Sequence, residues 1–305
     1  MNASTDIATA PAPGTQPTKD TYKGRIHPDW CPGCGDFSVL AALQTALFEL
    51  GLPPHQVCVV SGIGCSSNLP GYINTYGMHT LHGRALAVGT GVKLGNHKLK
   101  VICVGGDGDG YGIGGNHFVH ISRRNVDLTY IVMDNQIYGL TTGQVSPTSV
   151  KGMKTKTTPH GSVENPINPI PMAIVAGATY VARGFSGKQK HLVELIKGAI
   201  NHNGFSLVDV FSPCVTYNKD NTYQWFNPRV KMLEELGHDP SDLHKALARG
   251  YQWGDEIPIG VFWKRTDLPS LEDLEPVLHN GEGPLACRKL GIPKEEADEL
   301  IKELL

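Results

Sequence analysis

Residues 100–140 read KVICVGGDGDGYGIGGNHF and then, after a polar stretch, TYIVMDNQIYGL. A short β-branched run, Val101 to Val104, stops at a glycine turn that carries Asp107. A second apolar run, Tyr130 to Met133, stops at Asn135. Apolar runs of this length, bounded by turn residues, predict strands buried on both faces. A carboxylate and an amide oxygen, each just past a strand end, suit a hard, oxygen-seeking cation such as Mg²⁺. The glycines around Asp107 let backbone approach a phosphate, and the helix expected after them would turn its N-terminus towards that anion.

Working outward, the chain has 305 residues, enough for one large α/β domain or two small ones. A formal net charge of −2 gives no basis for binding a polyanion, so nucleic acid is not an expected partner. No apolar run is long enough for a membrane span. The start is rich in Ala, Thr and Pro without an apolar centre, and 1–21 is expected to be a disordered lead and not an export signal. A reducing cytoplasmic compartment follows, where seven cysteines point to metal or redox chemistry before disulfides.

Asp36 can cap a helix whose apolar positions Leu40, Leu43, Leu47 and Leu50 share a face, with Gly51 as its stop. Val57 to Val60 predicts a strand ending in SGIGC, and Ser206 to Phe211 another ending in SPC. Helices are expected around 117–124, 171–177 and 189–201, and a long functional or mobile loop over 139–170. Strands alternating with helices predict a doubly wound, mostly parallel sheet with helices on both faces. The main domain is expected over 22–221. From 222 to 305 the pattern changes to helical segments (228–237, 241–251), one strand (Ile257 to Phe262) and an acidic end, predicting an extension packed on the core or on a partner chain. In such sheets ligands gather at the carboxyl ends of the strands. Cys65, Asp107, Asn135 and Cys214 each follow a predicted strand, so all four are expected on one edge.

Cys31 and Cys34 form WCPGCG, whose two-residue gap lets both thiolates reach one metal centre. With Cys65 and Cys214 they make four thiolates, enough for a Cys₄ zinc site or a [4Fe–4S] cluster. On spacing alone, structural zinc or a dithiol pair serves as well. The shared edge favours the cluster, because zinc carries no electrons. Cys58 and Cys103 sit in mid-strand as small buried hydrophobes, and Cys287 has no partner of comparable spacing.

GDG, a spacer and the Asp134-Asn135 pair resemble the diphosphate motif of thiamine-diphosphate enzymes. WCPGCG, SGIGCSS, LHGRA, GDGD, GGNHF, VMDNQIYGLTTGQ and FSPC, in order from about residue 22 to about 280, resemble the β subunits of 2-oxoacid:ferredoxin oxidoreductases, the 2-oxoglutarate type above all. The resemblance implies a thiamine-diphosphate fold and a [4Fe–4S] cluster on Cys31, Cys34, Cys65 and Cys214. It implies Mg²⁺ on Asp107, Asn135 and the carbonyl of Ile137. Cofactor contacts carry over to Ile63, Gly64, Cys65, Ser66, His82, Gly108, Asp109, Gly139 and Leu140. The implied reaction is coenzyme A-dependent oxidative decarboxylation of a 2-oxoacid, with electrons leaving to ferredoxin, or the reverse carboxylation. The implied assembly is α₂β₂, the α subunit supplying the residue that activates the aminopyrimidine. Pyruvate or a branched-chain 2-oxoacid shares that chemistry. A non-redox thiamine enzyme subunit with structural zinc is the competing function.

Two departures stand out. Relatives often carry a basic residue where Asn68 stands, and an eight-cysteine insert of larger relatives is missing, so one cluster is expected. His82 is the candidate donor or proton shuttle near the reacting carbon. Asp109 could be a plain turn former, and Lys151, Lys154 and Lys156 solvated loop residues.

Overall fold

A computed structural model describes residues 17–279, 283–288 and 291–304. The chain enters through a 3₁₀ turn, Lys19–Tyr22, and Tyr22 is fully buried. Residues 19–21 of the expected disordered lead are thus part of an ordered turn; 1–16 lie outside the described residues.

Helix α1 (Gly35–Glu49) leads to β1 (Val57–Ser61) and β2 (Tyr76–His79). Then come α2 (Ala85–Gly95), β3 (Lys100–Gly106), α3 (Gly115–Arg124) and β4 (Thr129–Asp134). After a long loop follow α4 (Pro169–Ala176), β5 (Tyr180–Phe185), α5 (Gln189–Asn201) and β6 (Ser206–Phe211). The last stretch holds α6 (Tyr223–Phe226), β7 (Val230–Met232), α7 (Leu243–Gly250), β8 (Ile257–Lys264), α8 (Leu271–Leu274) and α9 (Lys294–Glu303).

The eight strands form one sheet in the order β2-β1-β3-β4-β6-β5-β8-β7. Every pairing is parallel except β5 with β8. Alternate strand residues fall into two cores, as a period of two requires. Val59, Ile102, Val104, Ile131 and Val208 pack under α1 and α5; Val60, Val101, Cys103, Val132 and Leu207 pack under α2, α3 and α4. The doubly wound parallel sheet is thus as the sequence predicts.

Three expectations change. Asp36 does not cap α1: the N-cap is Cys34, and the Asp36 carboxylate sits in the first turn accepting from Ser212 Oγ at 2.6 Å. The helix predicted over 228–237 is absent; β7 pairs there with β8, because a buried strand edge at Val230 outweighs the helical spacing of Leu233 and Leu236. The extension expected after 222 also adds strands to the main sheet, β8 pairing with β5 and β7 with β8. No helix among the described residues is long and apolar enough to cross a membrane.

Candidate functional site

β1, β3, β4 and β6 run parallel, so the loops that leave them all open on one edge of the sheet. One cleft lies there. Ile63, Gly64, Cys65 and Ser66 line it from the loop after β1, and His82 from the turn after β2. Gly106 to Asp109 line it after β3, and Asn135 with Ile137 to Thr141 after β4. The structure therefore brings together all nine residues expected to touch the thiamine cofactor and all three expected Mg²⁺ ligands.

At the floor of the cleft Asp107 is 1% exposed. Thr148 Oγ1 donates to its Oδ2 at 2.6 Å and lies 2.8 Å from Asp134 Oδ1. One hydroxyl proton serves one carboxylate at a time, and Asp134 Oδ1 also accepts from the Gln136 amide at 3.1 Å. Burial pushes Asp107 up to about 6, and burial together with the Asp107 charge pushes Asp134 well above the usual range. A divalent cation at Asp107 would answer that excess of negative charge. Gln136, between Asn135 and Ile137, has φ 57°, a conformation uncommon without glycine. Strained backbone of this kind clusters at ligand sites.

After β3 the chain makes a wide π-helical turn over Gly108–Ile113 before α3 begins. Such turns recur at functional sites. The motif glycines do more here than admit a phosphate. A Cβ on Gly108 would stand 2.1 Å from the Tyr138 ring, whose hydroxyl donates to the Gly108 carbonyl at 3.1 Å. Gly64, at φ 126°, has open space where a Cβ would be.

Asp109 acts as a brace. Its Oδ1 accepts from the Ile63 amide at 2.9 Å and the Gly83 amide at 2.7 Å, tying three loops together. His82 Nδ1 lies 2.8 Å from the same oxygen, off the line of a good hydrogen bond, with 41% of its side chain exposed. The three lysines of the long loop are exposed, Lys151 resting on Asn165.

The cysteine loops are laced to one another. Trp30 Nε1 donates to the Cys65 carbonyl at 2.7 Å, the Cys34 amide closes a turn on the Cys31 carbonyl at 2.9 Å, and the Gly35 amide donates to the Pro213 carbonyl at 3.2 Å. A Cβ on Gly139 would find Cys214 Sγ at 3.7 Å, Cys65 Sγ at 3.8 Å and Asn135 Nδ2 at 3.8 Å. These two thiols therefore flank the cofactor cleft at Gly139. Burial and the nearby Asp36 carboxylate push Cys34 up, and push Cys65 up to about 11. Burial lifts Asp36 itself to about 6. Among the described residues, no group of three or more His, Cys, Asp or Glu converges closely enough to hold a single metal ion. Sequence reasoning missed Trp30 and Thr148, which lie outside the strand-end pattern that marked the rest, and Tyr138, which stands inside it between Ile137 and Gly139.

A parallel α/β sheet with a diphosphate-type cleft at its carboxyl edge defines a thiamine-dependent enzyme domain. Residues 59–210 match the family described as thiamine pyrophosphate enzyme, C-terminal TPP binding domain. Residues 214–280 match the family described as the C terminal of the pyruvate ferredoxin oxidoreductase beta subunit. The 2-oxoacid:ferredoxin oxidoreductase subunit beta of a Sulfolobus species is 49% identical over 257 residues, 80% of this chain and 84% of that one. The 2-oxoglutarate synthase subunit KorB of Methanocaldococcus jannaschii is 48% identical over 225 residues, 73% and 82%. A solved 2-oxoglutarate:ferredoxin oxidoreductase from Magnetococcus marinus, with 2-oxoglutarate, coenzyme A and succinyl-CoA bound, superposes with a TM-score of 0.86. It is 42% identical, covering 95% of this chain and 98% of its own. The chain belongs to the β subunits of the 2-oxoacid:ferredoxin oxidoreductases.

Proposed function

We propose that this β subunit binds thiamine diphosphate, Mg²⁺ and one [4Fe–4S] cluster, and that with its α subunit it oxidatively decarboxylates 2-oxoglutarate to succinyl-CoA, passing electrons to ferredoxin. The placement of the Cys65 and Cys214 thiols beside Gly139, in the cleft that holds Asp107 and Asn135, carries this proposal. Asp107, Asn135 and the Ile137 carbonyl would hold the metal: an ionised oxygen, an amide oxygen and a carbonyl form a hard donor set. Gly64, with open space where a Cβ would be, and Ser66 leave room for a diphosphate along the cleft wall. Thiamine diphosphate, when bound, supplies the nucleophilic carbon and the electron sink for decarboxylation.

His82 stands at the mouth, half exposed and leaning on Asp109, where it can hold or hand on a proton. Cys31, Cys34, Cys65 and Cys214 would supply the four thiolates of the cluster, which would carry the electrons that a zinc ion cannot. Cys31 is exposed, so an electron-transfer protein can come close to that corner. Tyr76, Leu81, Ile113 and Leu140 expose apolar surface, which suits a second polypeptide closing over the cofactor.

Co-expression with the α subunit, followed by ferredoxin reduction with 2-oxoglutarate, pyruvate and a branched-chain 2-oxoacid in turn, tests the substrate. Coenzyme A-dependent reduction with 2-oxoglutarate is expected. Reduction with pyruvate alone would move the assignment to that acid.

A further inference from the structure

The long loop after β4 carries a buried residue that none of the roles above uses. Met153 is 4% exposed, although it stands in a loop and not in a helix or strand. It shares a small buried apolar cluster with Ile137 and Cys214, and Val145 and Val150 pack against that cluster. Cys214 is 9% exposed, whereas Cys31 lies open to solvent. The cysteine set thus has a wet corner and a dry one, and the loop builds the dry one.

Main-chain bonds hold this loop in shape. The Met153 amide donates to the Val150 carbonyl at 3.1 Å, and the Met153 carbonyl accepts from the Ser162 amide at 2.9 Å. The Gly152 amide donates to the Ser162 carbonyl at 2.8 Å. Ser149 Oγ donates to the Gln136 carbonyl at 2.6 Å and so ties the loop to the turn that follows β4. Gly161, at φ 94°, sits where a Cβ would stand 2.8 Å from the Gly152 carbonyl oxygen, so the loop closes tightly on itself. The Met153 side chain takes no part in these bonds. Ordering a methionine costs more rotamer freedom than ordering a small residue, and loops ordinarily turn polar side chains to water. A methionine buried here therefore gains from the surface it covers, and that surface includes Cys214.

We propose that Met153, with Val145 and Val150, is a dry cap over the Cys214 side of the four thiolates, and that it lowers the reduction potential of the centre they hold. The second half of this rests on the [4Fe–4S] assignment given above. A centre bound by four thiolates gains negative charge when an electron enters. Water and polar side chains stabilise added charge, and an apolar shell does not. Solvent exposure is accordingly one of the levers on such a potential. By keeping water from Cys214, the cap disfavours the reduced form and makes it a stronger donor. One electron enters the iron–sulfide core and one leaves to ferredoxin; no iron–thiolate bond forms or breaks.

Reductive titration of the α–β complex with dithionite, followed by electron paramagnetic resonance, reads the potential. Met153→Gln should raise the ratio of reduced to oxidised centre at a given potential about tenfold, an upward shift of about 59 mV for a one-electron couple. Met153→Leu, apolar and of similar volume, should stay within about twofold of the parent. Val145→Thr keeps the side-chain shape and adds a hydroxyl; it should shift the ratio the same way by about threefold, and it carries the test if Met153→Gln fails to assemble. An unchanged or lowered potential in the iron-replete polar variant would overturn the effect on the potential. Alkylation by iodoacetamide in the α–β complex stripped of metal, read residue by residue by mass spectrometry, tests the cap itself. Met153→Ala should speed alkylation of Cys214 at least about tenfold and leave Cys31 unchanged. Equal rates at Cys214 in parent and variant would overturn the cap. A parent complex without iron would sink the cluster assignment, and the alkylation rates would still decide the cap.

Discussion

Asp107 shows how much of the chemistry rests on single buried groups. Its folded pKa, about 6, lies above the ordinary carboxylate value of 3.8. The favourable contribution of the protonated carboxyl is therefore complete below pH 4 and disappears as pH rises through about 6. Asp107→Asn removes that dependence. Without metal, the variant should gain on the parent between those limits, by on the order of 2–3 kcal/mol at neutral pH, in denaturant melts. Mg²⁺ should stabilise the parent and not the variant, and the variant should lose at least about a hundredfold in activity. Equal Mg²⁺ stabilisation of both proteins would place the metal elsewhere. Asp107 and Asn135 were legible in the sequence because each follows an apolar run directly. Thr148, which serves Asp107 from 41 residues away in the long loop, had no such marker.

Elements set the distances that these residues need. The start of α1 is pressed against the end of β6: a Cβ on Gly35 would stand 2.7 Å from Ser212 Cα. Gly35→Ala should push the Cys31–Cys34 turn away from Cys214. Loss of iron and of visible absorbance, with far-ultraviolet circular dichroism unchanged, is expected; full iron content would show that the turn does not need this contact. Strand β5 escaped the sequence because Arg183 and Gly184 interrupt its apolar run. The structure explains the charge: Arg183 stands in register with Asp209 on β6, and the two form a buried ion pair. Breaking a buried pair from one side costs about 3–5 kcal/mol. Arg183→Met should lose that much in urea melts, and Arg183→Met with Asp209→Leu should recover most of it. An undiminished single variant would mean that the pair contributes nothing. β2 escaped for the opposite reason, since its four residues are all exposed and form no continuous apolar run.

The whole molecule brings two sets of side chains, the Asp107–Asn135 pair and the Cys65 and Cys214 thiols, to one rim. The parallel order of β1, β3, β4 and β6 converts segments spread from Cys31 to Cys214 into a single edge. That arrangement could be foreseen from apolar runs alone, because parallel strands buried on both faces leave an unambiguous trace. The surface features could not: the open cleft mouth and its exposed apolar rim gain meaning only beside a second subunit. The central claim is that the thiols flanking this cleft bind iron that takes electrons from the substrate. Metal and sulfide analysis of the α–β complex, joined to electron paramagnetic resonance after addition of 2-oxoglutarate and coenzyme A, tests it most directly. Iron and acid-labile sulfide in equal amounts, with a reduced-cluster signal that requires both substrates and vanishes in Cys214→Ser, is the result expected. Zinc without iron, or a substrate-dependent signal that survives Cys214→Ser, would contradict it.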